Sequence, residues 1–329
     1  MNGSEEVVVS SQIALVGDIG GTNARFALFD LSTQSLQQIQ VLACKDYANI
    51  DQAITHYLNQ QSVSPEQACL AFACPVHNAQ VRMTNNHWYF DKQTLKTDLG
   101  LKQLRIINDF TALALALPVL SEKDLCQVGE GDSVKDKPKL VMGPGTGMGM
   151  AGLVRTQQGW LPIPTEGGHV DFAPRNELEV EVWRYLHRCF EHVSVERILS
   201  GSGLVNLYQA LAAVSGQEIS VVDPSYITTE GCEGTDKLAC QTLEMFSEIL
   251  GAVAGNAALT IGALGGVYIA GGIIPRFKAH FMKSGFRNAF IDKGRFRDYL
   301  NAIPSYLVLA EYPGLLGAAQ GLVSSERLG

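Results

Sequence analysis

Two hydrophobic spacings alternate along this chain. The run IALVGD (13–18) is continuously apolar up to its glycine, as expected of a strand buried on both faces. After GGTN, the alternation in RFALFD (25–30) predicts a second strand, so the glycines tip a hairpin. IQVLAC (39–44) predicts a third strand, 49–60 a helix, and CLAFAC (69–74) and VRMTN (81–85) further strands. LRIIND (104–109) reads as a strand running straight into the helical FTALALAL (110–117). Three strands followed by alternating helices and strands predict an α/β fold with a mixed sheet.

The polar GEGDSVKDKPK (129–139) reads as a surface loop or boundary, with solvated lysines. Directly after it the opening pattern returns, because KLVMG, PGTGMG and MAGLVR again give strand, glycine turn and strand. We read LVGDIGGTNARFAL and LVMGPGTGMGMAGL as an internal duplication, with Gly17 and Gly143 in equivalent places. The second half is more helical, with amphipathic stretches near 175–190, 202–214 and 236–263. VYIAGG then predicts a strand and turn, YLVLA (306–310) a strand, and PGLLGAAQGLV a helix.

No charged residue lies between Glu248 and Arg276, a stretch long enough to cross a bilayer. Glycines from Gly251 to Gly272 interrupt it and divide it into a buried helix and a buried strand, so no membrane span is expected. The balance of 25 Lys and Arg against 33 Asp and Glu leaves a net charge of −8 with no basic stripe, which excludes a nucleic-acid partner. Seven cysteines without a CxxC pair, and no HExxH, indicate neither a zinc site nor a disulfide framework. The first residues are acidic where a secretory signal is basic, so the chain reads as cytoplasmic.

Candidate chemistry gathers at the glycines. A glycine turn between strands exposes backbone N–H groups that can cradle phosphate, and two such turns suggest a polyphosphate; either alone reads equally well as a tight hairpin. Asp18 and Thr22 in one, and Thr146 in the other, add a carboxylate suited to Mg²⁺ and hydroxyls suited to phosphate. Gly147 to Gly152 satisfies GxGxxG but lies between two strands, which argues against dinucleotide binding, and a Gly-Lys dipeptide for a Walker loop is absent. Asn108-Asp109 stands where a strand meets a helix, a place for a helix cap or for a carboxylate that accepts a hydroxyl proton. Glu166-Gly-Gly-His169 pairs a carboxylate with an imidazole, a combination suited to sugar hydroxyls, to a metal, or to a plain surface turn. Glu196 reads by itself as a helix-surface carboxylate, and Gly271-Gly272 as a strand end that a flat ligand could approach closely.

Seven segments in this order, VGDIGGTNARFAL (16–28), IINDFTA (106–112), GPGTGMG (143–149), PTEGGHVDF (164–172), SVERILSGSGLVNLY (194–208), GGVYIAGGIIPRF (265–277) and YPGLLGAA (312–319), span essentially the whole chain. Together they resemble the bacterial glucokinase family, hexose kinases of the actin and Hsp70-like ATPase superfamily. The resemblance implies two α/β domains, each with a ribonuclease H-like (actin-like ATPase) core, and an active site in the interdomain cleft. The small domain would be 1–119 plus 307–329 and the large one 120–306. It further implies ATP-dependent phosphorylation of D-glucose to glucose 6-phosphate, the first step of glycolysis, by a cytoplasmic homodimer.

On the matching positions, the resemblance places the sugar on Asn108, Asp109, Glu166, His169 and Glu196, with Asp109 as base. Phosphates fall on Gly17, Asp18, Ile19, Gly20, Gly21 and Thr22 and on Gly145 and Thr146, adenosine on Gly271 and Gly272, and Mg²⁺ on Asp18 through water. An ordinary carboxylate pKa of about 4 at Asp109 suffices for this chemistry, because the proton leaves late. Related zinc-containing members follow a similar Glu-x-Gly-His with a CxCGxxGC cluster. Here His169 is followed by Val-Asp-Phe, so structural zinc is not expected, and the few residues before Ile13 are too short for a helix-turn-helix. The rival readings are a sugar-responsive regulator and a chaperone- or actin-like ATPase.

Overall fold

A computed structural model describes residues 8–10 and 12–323. Its residues form two compact units: one runs to Leu120, takes in Arg155–Pro164 and resumes from Ala310, and the other comprises Ser121–Val154 and Thr165–Leu309.

In the first unit, β1 (Ile13–Ile19), β2 (Asn23–Asp30), β3 (Ser35–Ala43), β4 (Gln67–Phe72) and β5 (Gln103–Asn108) form a five-stranded sheet in the order β3-β2-β1-β4-β5. β1, β4 and β5 are parallel, and their ends are level: Ile19 pairs with Phe72, and Phe72 with Asn108. The apolar runs are explained by burial on both faces. Phe26 packs against Tyr57 of the helix Ile50–Gln61, ring centroids 5.6 Å apart, while Cys69 on the other face meets Gly321 of the helix Pro313–Val323. β3 is one of the two edge strands and exposes Ile39 and Val41. Of VRMTN, only Val81 and Arg82 are strand, in Gln80–Arg82; after it the chain turns back to pair with Tyr89–Asp91.

The strands β6 (Leu125–Gln127), β7 (Lys139–Pro144), β8 (Met148–Arg155), β9 (Val267–Ile269) and β10 (Ser305–Val308) run in the order β6-β10-β9-β7-β8. β7 forms a hairpin with β8 and lies parallel to β9, as β1 does with β2 and β4, so the duplication seen in the sequence is a duplication of topology. The helices Gly201–Ser215 and Lys237–Ile261 contribute Leu204, Leu207, Phe246 and Leu250 to this unit's core. The charge-free stretch is therefore part of this core: its helix stops at Gly262 in a left-handed cap (φ 63°) before β9 begins. Among the described residues no helix is long and apolar enough to cross a membrane.

Candidate active site

The first unit brings Asp18, Asn108 and Asp109 to one edge of its sheet, the carboxyl ends of its parallel strands, where open α/β sheets bind ligands. Asn108 caps the helix Asp109–Ala116, its Oδ1 accepting the N–H of Phe110 at 2.9 Å. Asp109 Oδ1 accepts the same N–H at 3.0 Å. Acidic and amide side chains suit this place because helix N-termini present unpaired N–H groups and a positive dipole end. Burial nevertheless dominates. It pushes the Asp109 pKa up to about 7, the charge of Asp18 adds to the rise, and the hydrogen bonds to Phe110 offset part of it. This departs from the ordinary value near 4 expected from the sequence, because a second carboxylate and little solvent surround the group.

Asp18 lies in β1, just ahead of the glycine turn. Burial raises its pKa, and the Arg25 guanidinium, 3.5 Å from Oδ2, lowers it. The helix Pro313–Val323 meets Asp18 at its first turn, where a Cβ on Gly314 would lie 2.6 Å from Cγ of the carboxylate, so a side chain there would displace it. The turn itself is held from three sides: Gly20 N–H donates to Asn23, Cys44 N–H to the Thr22 carbonyl, and Asn86 Nδ2 to the Gly20 carbonyl. Arg25 and Asn86 were not singled out by sequence reasoning. Arg25 lies in the RFALFD run, whose alternation marks a strand and nothing more, and no local pattern marks Asn86.

In the second unit the glycine turn after β7 is closed by Gly145 N–H donating to the Gly147 carbonyl at 2.8 Å. Gly201, at the start of the next helix, donates to the Gly145 carbonyl at 2.9 Å. Glu196 is not a free surface carboxylate: it sits half-buried in the short 3₁₀ helix Val195–Arg197, and its Oε2 accepts the N–H of Met148 at 2.8 Å. Ser200, another residue sequence reasoning missed, donates its hydroxyl to the Glu196 carbonyl and caps the following helix through Gly203.

Glu166 and His169 flank a turn pressed onto β8, where a Cβ on Gly168 would come within 2.0 Å of the Met148 carbonyl. Both side chains are exposed. Backbone pairing of Val170–Phe172 with Val193–Val195 ties this turn to the Glu196 turn, so the second unit gathers Glu166, His169, Glu196 and the 145–147 turn around Met148. Gly271 follows β9 in a left-handed turn (φ 88°), and both Gly271 and Gly272 are exposed.

These two clusters can hold anionic oxygens on backbone N–H groups, accept several hydroxyls, and take up a proton near neutral pH. The glucokinase family model matches residues 15–324. The chain belongs to the glucokinase family. It is 52% identical over 317 residues to a glucokinase of Hahella chejuensis, covering 96% of this chain and 98% of the relative. The crystal structure of a glucokinase from an Antarctic psychrotroph superposes with a TM-score of 0.88 at 37% identity, covering 96% of this chain and all of that one. A glucokinase from Balamuthia mandrillaris, solved in complex with glucose, shares the fold with a TM-score of 0.81 at 20% identity, covering 96% and 94%. The fold is that of the two-domain sugar kinases of the actin-like ATPase type.

Proposed function

We infer that this glucokinase-family chain is an enzyme that transfers the γ-phosphoryl group of ATP to D-glucose, giving glucose 6-phosphate at the entry to glycolysis. The observation that carries the assignment of the base is Asp109: a half-buried carboxylate at a strand end, with its pKa pushed up to about 7. A base poised near the working pH accepts the 6-hydroxyl proton and sheds it again with little cost. Asp109 orients that hydroxyl and takes its proton as the oxygen–phosphorus bond forms and the bond from phosphorus to ADP breaks. Asn108, Glu166, His169 and Glu196 hold the remaining hydroxyls. A hexose lacking one of these contacts leaves a polar group unpaired and is penalised.

The phosphates bind at the turns Gly17–Thr22 and Gly145–Thr146, on the N–H groups of Gly21, Thr22 and Thr146, and Gly271 and Gly272 leave room for the adenosine. Among the described residues no group of three or more His, Cys, Asp or Glu is placed to hold a metal. A divalent ion that arrives on the nucleotide phosphates needs only one or two protein carboxylates. Asp18 fits that need: it is a hard oxygen donor, raised in pKa by burial and only loosely paired with Arg25. Mg²⁺ held there through water would neutralise charge on the phosphates. The acidic surface fits work in the cytoplasm, and a homodimer is the assembly that the family resemblance supports.

A coupled assay of hexose 6-phosphate formation over a panel of hexoses tests the function. Glucose-dependent ADP and glucose 6-phosphate formation supports it; glucose binding without turnover would make the chain a sugar-responsive regulator instead.

A further inference from the structure

The Gly20–Gly21 peptide is the softest link in the first glycine turn, because a glycine on each side leaves the dihedrals about it unrestrained. Its carbonyl is nonetheless held. Asn86 Nδ2 donates to it at 3.3 Å, and the Cys44 thiol donates to it at 3.6 Å. Both donors come from outside the turn, Asn86 from the segment after the strand Gln80–Arg82 and Cys44 from just after β3.

The Asn86 amide serves the turn in one orientation only. Its Oδ1 accepts the N–H of Trp88 at 2.9 Å, so it meets a donor at one end and the Gly20 carbonyl at the other. Trp88 anchors this segment: it is fully buried, and its Nε1 donates to the Tyr47 carbonyl at 3.1 Å. Asn85 packs directly on the turn, where a Cβ on Gly21 would lie 2.7 Å from the Asn85 Cβ. Burial raises the pKa of the Cys44 thiol, so it keeps the proton that it donates.

A trans peptide is planar, with its C=O and N–H on opposite sides. A carbonyl fixed toward Asn86 and Cys44 therefore aims the Gly21 N–H the other way. Among the described residues no group accepts that N–H, whereas the Gly20 N–H is taken by the Asn23 carbonyl at 2.9 Å. Rotation of this one peptide would put a carbonyl oxygen where the N–H stands, and a phosphate repels it.

We propose that Asn86 is a positioning residue for the phosphoryl donor: its amide, together with the Cys44 thiol, locks the Gly20–Gly21 peptide with its N–H toward the nucleotide phosphates. This rests on the reading of Gly17–Thr22 as a phosphate turn. Two donors share one carbonyl, so either alone still favours the locked peptide, and the thiol is the weaker of the two.

The test measures kcat/KM for ATP and, by calorimetry, the glucose Kd of the full chain and its variants. Asn86→Ala should lower kcat/KM for ATP about threefold and Cys44→Ala about twofold or less. The double variant should lose more than about tenfold, beyond the product of the two, because nothing then holds the carbonyl. Cys44→Ser in the Asn86→Ala background, whose hydroxyl donates to the same carbonyl, should return the rate to that of Asn86→Ala alone. The glucose Kd should stay within about twofold of the parent throughout, a split that general loosening of the unit would not give.

Simple multiplication of the single effects, failure of the serine to restore the rate, or a glucose Kd that weakens in step overturns the lock. If the double variant does not fold, a parental kcat/KM for ATP in Asn86→Ala alone overturns it. Gly21→Ala, which displaces the turn from Asn85, separates the two readings. Impaired ATP kinetics there beside a double variant at the parental rate removes the lock and leaves the phosphate turn standing. Parental ATP kinetics in Gly21→Ala overturns the phosphate role of the turn and the lock with it.

Discussion

The backbone N–H of Met148 donates to Oε2 of Glu196 at 2.8 Å, so a carboxylate from a distant turn fixes the first residue of β8. Glu196 thus holds the end of the glycine turn while its remaining acceptor capacity serves the sugar. Glu196→Ala should raise glucose KM about tenfold or more, since a buried donor loses its partner and a charged acceptor disappears. Glu196→Gln, which still accepts from Met148, should fall between. Steady-state kinetics with glucose and ATP varied separately decides this, and an unchanged glucose KM would leave Glu196 a purely structural role.

A side chain at Gly314 should displace Asp18. A Cβ there would lie 2.6 Å from Cγ and 2.7 Å from Oδ2 of Asp18, and the carboxylate would have to move. Misplacement of a positioned group by about 1 Å can cost up to about 100-fold in rate. Gly314→Ala should therefore lower kcat roughly 10- to 100-fold and raise the Mg²⁺ concentration needed for half-maximal rate. A variant with parental kcat and Mg²⁺ dependence would show that Asp18 has no part in turnover.

Asp109 should destabilise the fold as it ionises. The folded chain, with a pKa near 7, holds this proton more tightly than the unfolded chain, with a pKa near 4. The stability it contributes is present in acid and is lost as pH rises from about 4 to about 7. Asp109→Asn should thus melt close to the parent near pH 4 and above it at pH 8, by an amount on the order of a few kcal/mol. Thermal melts at the two pH values check the sign, and a gap that narrows with rising pH would contradict it.

The same group should set the acid limb of the rate profile. If ionised Asp109 is the base, kcat/KM for glucose should rise with pH and level off above about 7. A profile flat from pH 5 to pH 8 would mean that its ionisation does not control the reaction.

Much of this was legible in the chain because the informative residues are consecutive. IALVGD and LRIIND each end a strand on a ligand group, KLVMG runs straight into the glycine turn, and all three strands appear where their apolar runs lie. The strand Trp160–Thr165 and the helix Pro224–Glu233 went unread. In WLPIPT two prolines mask the strand pattern, and the apolar face of PSYITTEGCE is narrow, with Ile227 as its one large buried aliphatic.

The site shows the same division. Asp109 could be named from its place after a strand, but its raised pKa could not, because that depends on burial and on Asp18, which reaches the same sheet edge through β4. Likewise Glu196 looked like a surface carboxylate until the fold set it against Met148.

The most direct test is the pairing of turnover with binding in Asp109→Ala. Glucose 6-phosphate formation at saturating ATP and glucose should fall by about 100- to 10,000-fold, the range for a lost general base, while the glucose Kd from calorimetry stays within about tenfold of the parent. A kcat close to the parent's would contradict the assignment of Asp109 as the group that takes the sugar's proton.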